Sequence, residues 1–195
     1  MTDALQKLFG SPARFKLLQI FLLNPKQSFS LADMVKRSHI RLRDVRRELN
    51  LFYKSKIIKR VRKASRSAPS RFMLSGEFEH AQALRTLLLS ESARGDAILK
   101  RIRRAGALKL VILSGVLVGE FEGSLDLLVV GEHINARILR QRVRGIEGTI
   151  GKELRYAALD TQDFFYRLNM NDHLLRDVLD YPHSIVLDKL NIGLK

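Results

Sequence analysis

A chain of 195 residues, 46% of them hydrophobic, is long enough for one large core or two small ones and too apolar for general disorder. It has no cysteine, which excludes a disulfide framework and a thiolate metal site and fits a reducing cytoplasm. Its 35 Lys and Arg against 20 Asp and Glu give a net charge of +15. No stretch approaches the ~20 apolar residues of a membrane span, and Met1 to Phe9 lacks the basic and apolar regions of a signal peptide, so a cytoplasmic protein with no membrane partner is expected.

In chain order, Leu5, Leu8 and Phe9 form a short apolar stripe that stops at Gly10. Ser11-Pro12 starts a helix, N-cap then proline at N1. The helix runs to about Leu23 with Phe15, Leu18, Phe21 and Leu22 on its core face, and Asn24-Pro25 ends it. Ser30 followed by Asp33 is an N-cap with an acid three residues on, opening a short helix to about Ser38. His39-Ile40 is the turn into a second helix, about Arg41 to Lys54. Leu42, Val45, Leu49 and Phe52 recur on one face of that helix. At about 100° per residue the opposite face carries Arg43, Arg47, Asn50 and Lys54, flanked by Arg46 and Asp44. Ile57 to Lys63 and Ser70 to Leu74, on either side of Ala64 to Pro69, read as a β-hairpin.

The excess charge lies in this part of the chain. From Lys36 to Arg71, 14 Lys or Arg stand against Asp44 and Glu48, a net +12. A charge run is often only a solvated face. Such faces mix signs, however, whereas a 14-to-2 excess repels itself unless a polyanion neutralises it. A helix–turn–helix followed by a basic hairpin resembles the winged helix-turn-helix domain of bacterial and archaeal transcription regulators. The resemblance puts Arg41 to Lys54 in the place of the recognition helix and Lys59 to Arg71 in that of the wing. It implies double-stranded DNA as partner, contacted by Arg41, Arg43, Asp44, Arg46, Arg47, Asn50 and Lys54 from the helix and by Lys59, Arg60, Arg62, Lys63, Arg66 and Arg71 from the wing. An arginine fork suits guanine O6/N7 or phosphate oxygens, and the wing cations would hold the backbone and set register.

Glu77 to about Arg104 reads as mostly helical, broken near Arg94-Gly95, with Leu84, Leu87, Leu88, Ile98, Leu99 and Ile102 apolar. Its cluster Lys100 to Arg104 is either an extension of the nucleic-acid face or a solvated one. From Ala107 the pattern becomes α/β. Leu108–Leu113, Ser124–Gly131, Glu153–Leu159 and Ser184–Leu187 read as strands. Asn135 to about Ile150 reads as a helix, and two more are capped by Asp160 and by Asn171-Asp172. The fold class expected is therefore α+β in two domains: a winged helix-turn-helix over 1–76, a helical connector over 77–106, and an α/β domain over 107–195. Residues 1–106 hold 24 basic and 8 acidic residues, residues 107–195 hold 11 and 12, so the halves are expected to have different partners.

Leu113-Ser114-Gly115 through Gly119 to Ser124-Leu125-Asp126-Leu127 resembles the signature of the polymerase-β-like nucleotidyltransferase superfamily. There a strand ends in Gly-Ser, an Ala-Arg-Gly-like turn follows, and the next strand carries Asp-x-Asp. Gly-Ser at a helix N-terminus offers amides to a triphosphate, and two carboxylates at i, i+2 hold two Mg²⁺ for in-line displacement. The resemblance implies a nucleotidyltransferase-like fold with departed chemistry. The Gly-Ser falls on Ser114-Gly115 in swapped order, the turn's Arg on Val118, the first Asp on Ser124, and only the second remains, as Asp126. The third carboxylate belongs on Glu153–Leu159, where Arg155, Tyr156 and Ala157 offer none. Gly115 and Gly119 keep strand-end amides. One carboxylate cannot hold two Mg²⁺, and Glu120 and Glu122 have no spacing that makes them substitutes. The five histidines are scattered. No metal, cofactor or catalytic residue is expected.

The function expected is transcriptional regulation by steric competition at a promoter. The C-terminal domain would serve as a homodimerisation body or a sensor of a nucleotide or other small effector. Two rivals stay open. One is an active nucleotidyltransferase that holds a nucleic acid or protein on the basic domain, against which the absent carboxylates speak. The other is a double-stranded RNA or ribosome binder. Tyr53 is the main aromatic of the basic segment, too few for single-strand stacking.

Overall fold

A proline at the first helical position and a serine before it set where the central helix of the first unit begins. In the computed structural model, which describes residues 3–62, 65, 67–92, 94–121 and 123–192, the chain divides into two compact units, 1–91 and 92–195. After α1 (Asp3–Leu8), α2 (Pro12–Leu23) starts where the Ser11 hydroxyl accepts the Arg14 N–H at 3.3 Å. Phe15, Leu17, Leu18, Ile20, Phe21 and Leu22 are all buried in one core. The four-residue core face expected for this helix is thus too narrow, because a helix apolar all round is packed all round. Leu8, expected in a packed stripe, is 72% exposed, since α1 ends there and the chain turns at Gly10; Phe9 packs onto the core, and the side chain of Leu5 lies outside the described residues.

The rest of the first unit is β1 (Phe29–Ser30), α3 (Leu31–Ser38), α4 (Leu42–Lys54), β2 (Ile58–Val61), β3 (Arg71–Leu74) and α5 (Ala81–Ser92). The strands form an antiparallel sheet in the order β1-β3-β2, with Phe29 opposite Phe72 and Ile58 opposite Leu74. Ser30 ends β1 and caps α3 at once. Its hydroxyl accepts the Asp33 N–H at 3.2 Å, and the Asp33 carboxylate accepts the Ser30 N–H at 2.8 Å. His39, at φ 55°, closes α3 in the left-handed conformation. Met34, Val45, Leu49, Phe52, Ile58, Leu74 and Leu88 complete the core around α2. There Phe21 meets Phe29 and Phe52 edge-on, at 5.9 and 6.5 Å, pairs worth about 0.5–1.5 kcal/mol each beyond their buried area.

The second unit comprises α6 (Gly95–Ile102), β4 (Ala107–Leu113), β5 (Leu127–Glu132), α7 (Ala136–Ile150), β6 (Tyr156–Leu159), α8 (Thr161–Asn169), α9 (His173–Asp180) and β7 (Ser184–Asp188). Residues 77–106 therefore divide, with α5 and α6 either side of the boundary between the units. The sheet order is β6-β5-β4-β7; β4 runs antiparallel to β5 and β7, and β5 runs parallel to β6. Leu110 to Leu113 and Leu127 to Val130 are buried without alternation, the mark of a sheet covered on both faces. Leu110, Ile112, Leu128 and Val130 pack with Phe164 of α8 and with Leu175 and Val178 of α9. Val111 and Val129 point to the opposite face by the pleat, which leaves that face to α6 and α7. These helices pack together and bury Ile98, Ile102, Leu139, Val143 and Ile146. Asn135, Asp160 and Asp172 cap their helices through side-chain oxygens. No helix among the described residues is long and apolar enough to cross a membrane.

A candidate nucleic-acid interface and a saturated carboxylate

Helix α4 has Arg41 at its N-cap, with no side-chain cap bond. Its buried stripe is Val45, Glu48, Leu49 and Phe52. Leu42, expected in that stripe, is 43% exposed, because the first turn of α4 runs past the edge of the core. Arg41, Arg43, Arg46, Arg47, Asn50 and Lys54 are exposed, and Asp44 is half-buried. Of the six, Arg47 is the one drawn back onto its own helix, 3.4 Å from Asp44 and 3.3 Å from Glu48. Glu48 is the one charged residue of the buried stripe. It is 1% exposed and accepts Arg14 Nε at 2.9 Å on one oxygen and Arg47 on the other. A buried carboxylate persists only when paired in this way. Arg41, Arg43, Arg46 and Lys54 make no ion pair among the described residues.

On the hairpin, Lys59, Arg60 and Arg62 are exposed; Lys63, Ala64 and Arg66 lie outside the described residues. The Arg60 guanidinium lies over the rings of Tyr53 and Phe72, at 5.9 and 5.7 Å, so it bridges α4 and β3. Between the helix and the hairpin opens a cleft of about 670 Å³, with Leu42, Arg46, Asn50 and Tyr53 on one wall and Arg60 and Phe72 on the other. Arg71 is engaged elsewhere: its guanidinium bonds the hydroxyl and carbonyl of Ser28 and lies 3.3 Å from Asp33. The Ser30 backbone N–H holds the Asp33 carboxyl below its ordinary value; the Ser30 hydroxyl, Arg71 and Arg37 act the same way, and burial opposes them. The structure thus brings Arg60 against α4, leaves Lys59 and Arg62 exposed on the hairpin, and engages Arg47 and Arg71 within the unit.

In the second unit β4 ends at Leu113, Ser114 follows, Gly115–Val118 form one 3-10 turn, and Gly119 closes it at φ 92°. Ser124 is exposed ahead of β5, whereas Asp126 is fully buried. Four donors surround the Asp126 carboxylate. The Val116 N–H lies at 2.9 Å, the Arg155 N–H at 2.8 Å, and the Arg155 guanidinium bonds both oxygens, Nη2 at 2.9 Å and Nε at 3.1 Å. The other Arg155 Nη donates to the Gly123 carbonyl. Arg155 immediately precedes β6, in the stretch Glu153–Leu159 on which the nucleotidyltransferase resemblance implies a third acid. The Ser114 hydroxyl donates to the Leu125 carbonyl at 2.9 Å. Gly115 has φ 52°, and a Cβ there would lie 2.3 Å from Asp126 Oδ1, so a serine cannot take that place while Asp126 keeps this pose. The swapped order Ser114-Gly115 and the buried ion pair are one arrangement.

This arrangement ties the ends of β4, β5 and β6 and leaves no carboxylate oxygen of Asp126 free to face a ligand. Glu120 is exposed, and Glu122 lies outside the described residues. A cavity of about 180 Å³ adjoins the turn, lined by Ser114, Gly115, Glu120 and Gly123 with Asp177 and Tyr181. Among the described residues no three His, Asp or Glu are grouped so as to hold a metal ion. The one signal for the pair in the sequence was an arginine where the resemblance called for an acid. No protein-family model, curated protein or solved structure matches this chain.

Proposed function

We propose that this protein is a duplex-DNA-binding transcriptional regulator whose first unit is a winged helix-turn-helix and whose second is a nucleotidyltransferase-like body without transfer activity. The observation that carries the reading is one set of exposed cations. Arg41, Arg43, Arg46 and Lys54 of α4, with Lys59, Arg60 and Arg62 of the hairpin, make no ion pair among the described residues, in a segment of net +12. Cations of this density gain most from a phosphate backbone, where binding releases condensed counterions. The order helix, strand, helix, helix, hairpin with sheet order β1-β3-β2 supports a winged helix. In it α4 would lie in the major groove and the β2–β3 hairpin along the backbone.

For the second unit, the order β6-β5-β4-β7 and the strand–turn–strand from Ser114 to Asp126 support the nucleotidyltransferase resemblance. The Arg155–Asp126 pair supports loss of the chemistry, because a carboxylate saturated by four donors offers no lone pair to Mg²⁺. Such a body would act as a dimerisation surface or an effector sensor. Crosslinking the protein to nucleic acid in cells and sequencing what is recovered tests the reading. Discrete duplex-DNA sites are expected; recovery of structured RNA alone would transfer the reading to an RNA binder.

A further inference from the structure

We infer that the α6–α7 face of the second unit is a second phosphate-backbone contact for the duplex. This rests on the duplex-binding reading of the first unit. The sequence separates the cations of this face by more than thirty positions, and the fold brings them into one layer. Helices α6 and α7 pack side by side on the sheet face opposite α8 and α9. They are tied where the Arg101 guanidinium donates to the Gly145 carbonyl and to the Thr149 hydroxyl, at 3.2 and 2.8 Å. Lys100, Arg103 and Arg104 are exposed at the end of α6, and Arg137, Arg140 and Arg144 are exposed on α7. Arg137, Arg140 and Arg144 follow an i, i+3, i+7 spacing that puts them on one side of α7, flanking its buried stripe of Leu139, Val143, Ile146 and Ile150 on the side away from Gly145 and Thr149.

What distinguishes this face is the scarcity of counter-charge among the described residues. None of these six cations has an ion pair among the described residues. Glu147, the one acid of α7, stands three residues after Arg144 and accepts the Leu154 N–H at 2.8 Å, and Asp96 of α6 pairs with Arg94. The same unit treats its other helical arginines differently. On α8 and α9, Arg167 lies 2.9 Å from Asp163 and Arg176 lies 3.5 Å from Asp180. An ordinary solvated surface mixes signs as α8 and α9 do. Lys100 and its neighbours at the end of α6 complement that helix's dipole, so stability alone accounts for them. It does not account for α7. Arg137 stands in the first turn, where the dipole disfavours a cation, and Arg140 has like charges three residues before and four residues after it. A row of arginines that opposes the stability of its own helix, in a layer that also carries the cations at the end of α6, suits a polyanion. The chain that carries it already presents a face for duplex DNA.

The experiment compares the full-length protein with the triple variant Arg137→Gln, Arg140→Gln, Arg144→Gln, measuring affinity for a non-specific duplex over a salt series. If the face contacts the backbone, the slope of log K against log salt becomes shallower by about 2–3, at about 0.9 for each phosphate released. The Lys triple at the same positions keeps the wild-type slope, because a phosphate contact needs the charge rather than the fork. A thermal melt of the Gln triple at or above the wild-type midpoint confirms that folding is intact. An unchanged slope in a folded Gln triple overturns the inference while leaving duplex binding by the first unit standing; a wild-type protein that binds no duplex removes the reading on which it rests. Vesicles of phosphatidylglycerol and phosphatidylcholine form the second arm. Flotation of the wild type but not the Gln triple, with no change in the DNA slope, would assign the face to a membrane surface and overturn the inference.

Discussion

Arg155 and Asp126 face one another across the entrances of β6 and β5, Nη2 to Oδ1 at 2.9 Å and Nε to Oδ2 at 3.1 Å, with the carboxylate fully buried. Breaking a buried pair by removing one partner strands a charge, and that is more damaging than the pair is stabilising. Arg155→Met should therefore destabilise the second unit by about 3 kcal/mol, the low end of the usual range because the arginine side chain is 44% exposed. Denaturant unfolding measures it. A loss below about 1 kcal/mol would mean that water replaces the guanidinium and that the pair is peripheral.

The same geometry predicts no nucleotide transfer. Incubation with labelled nucleoside triphosphates, Mg²⁺ or Mn²⁺, and pooled RNA and protein acceptors should leave no label on any acceptor. Ser124→Asp should stay inactive too, because Arg155 still occupies both oxygens of Asp126. Metal-dependent transfer that vanishes in Asp126→Ala would restore the enzyme reading.

Acid should loosen the first unit through the α3 cap. The Ser30 N–H holds the Asp33 carboxyl below its ordinary value. The folded state therefore binds this proton less readily than the unfolded chain, whose value is about 3.9. The stabilisation is fully present above that value and is lost as pH falls through the lower folded one. Asp33→Ala should cost about 1 kcal/mol at neutral pH, and the gap from wild type should narrow below about pH 4. A gap of constant size from pH 7 to pH 3 would show that the carboxylate's charge is immaterial.

Side chains of the candidate interface should separate by role. Arg43→Ala, which removes an unpaired cation from the exposed face of α4, should reduce discrimination between sequences by about 1–3 kcal/mol. Arg47→Ala should affect binding less, since Asp44 and Glu48 hold that side chain against the helix. Arg62→Ala should weaken all duplexes alike and flatten the salt slope by about 0.9. Leu49→Ala, 5% exposed in the core, is the folding control, at about 2–5 kcal/mol of destabilisation. Binding to selected and scrambled duplexes checks all four, and a sequence preference altered by Arg62 but not by Arg43 would reverse the assignment of helix and hairpin.

Local signals made much of the fold legible. Ser11-Pro12, Ser30 with Asp33, Asn135, Asp160 and Asp172 all cap helices, because their oxygens meet backbone donors two or three residues on. Pairings made across the chain were not legible. Strand β1 is two residues long and exists only because β3 returns beside it. Helix α2 is buried all round, so no stripe could mark its neighbours. Glu48 is held by Arg14, 34 positions earlier, a pairing that no local pattern marks. For the candidate site, the exposure of the α4 and hairpin cations followed from charge and period. The engagement of Arg71 and the Arg155–Asp126 pair did not, because both depend on strands brought together from distant positions.

The most direct test of the central claim is duplex binding by the intact protein across a salt series. With roughly six phosphates contacted, log K should fall against log salt with a slope of about −5 or steeper. Tight retention of duplex at low salt and that slope are the results expected from the net +12 segment that runs from the end of α3 through α4 and the hairpin. Absence of binding at low salt, or a slope near zero, would contradict the account.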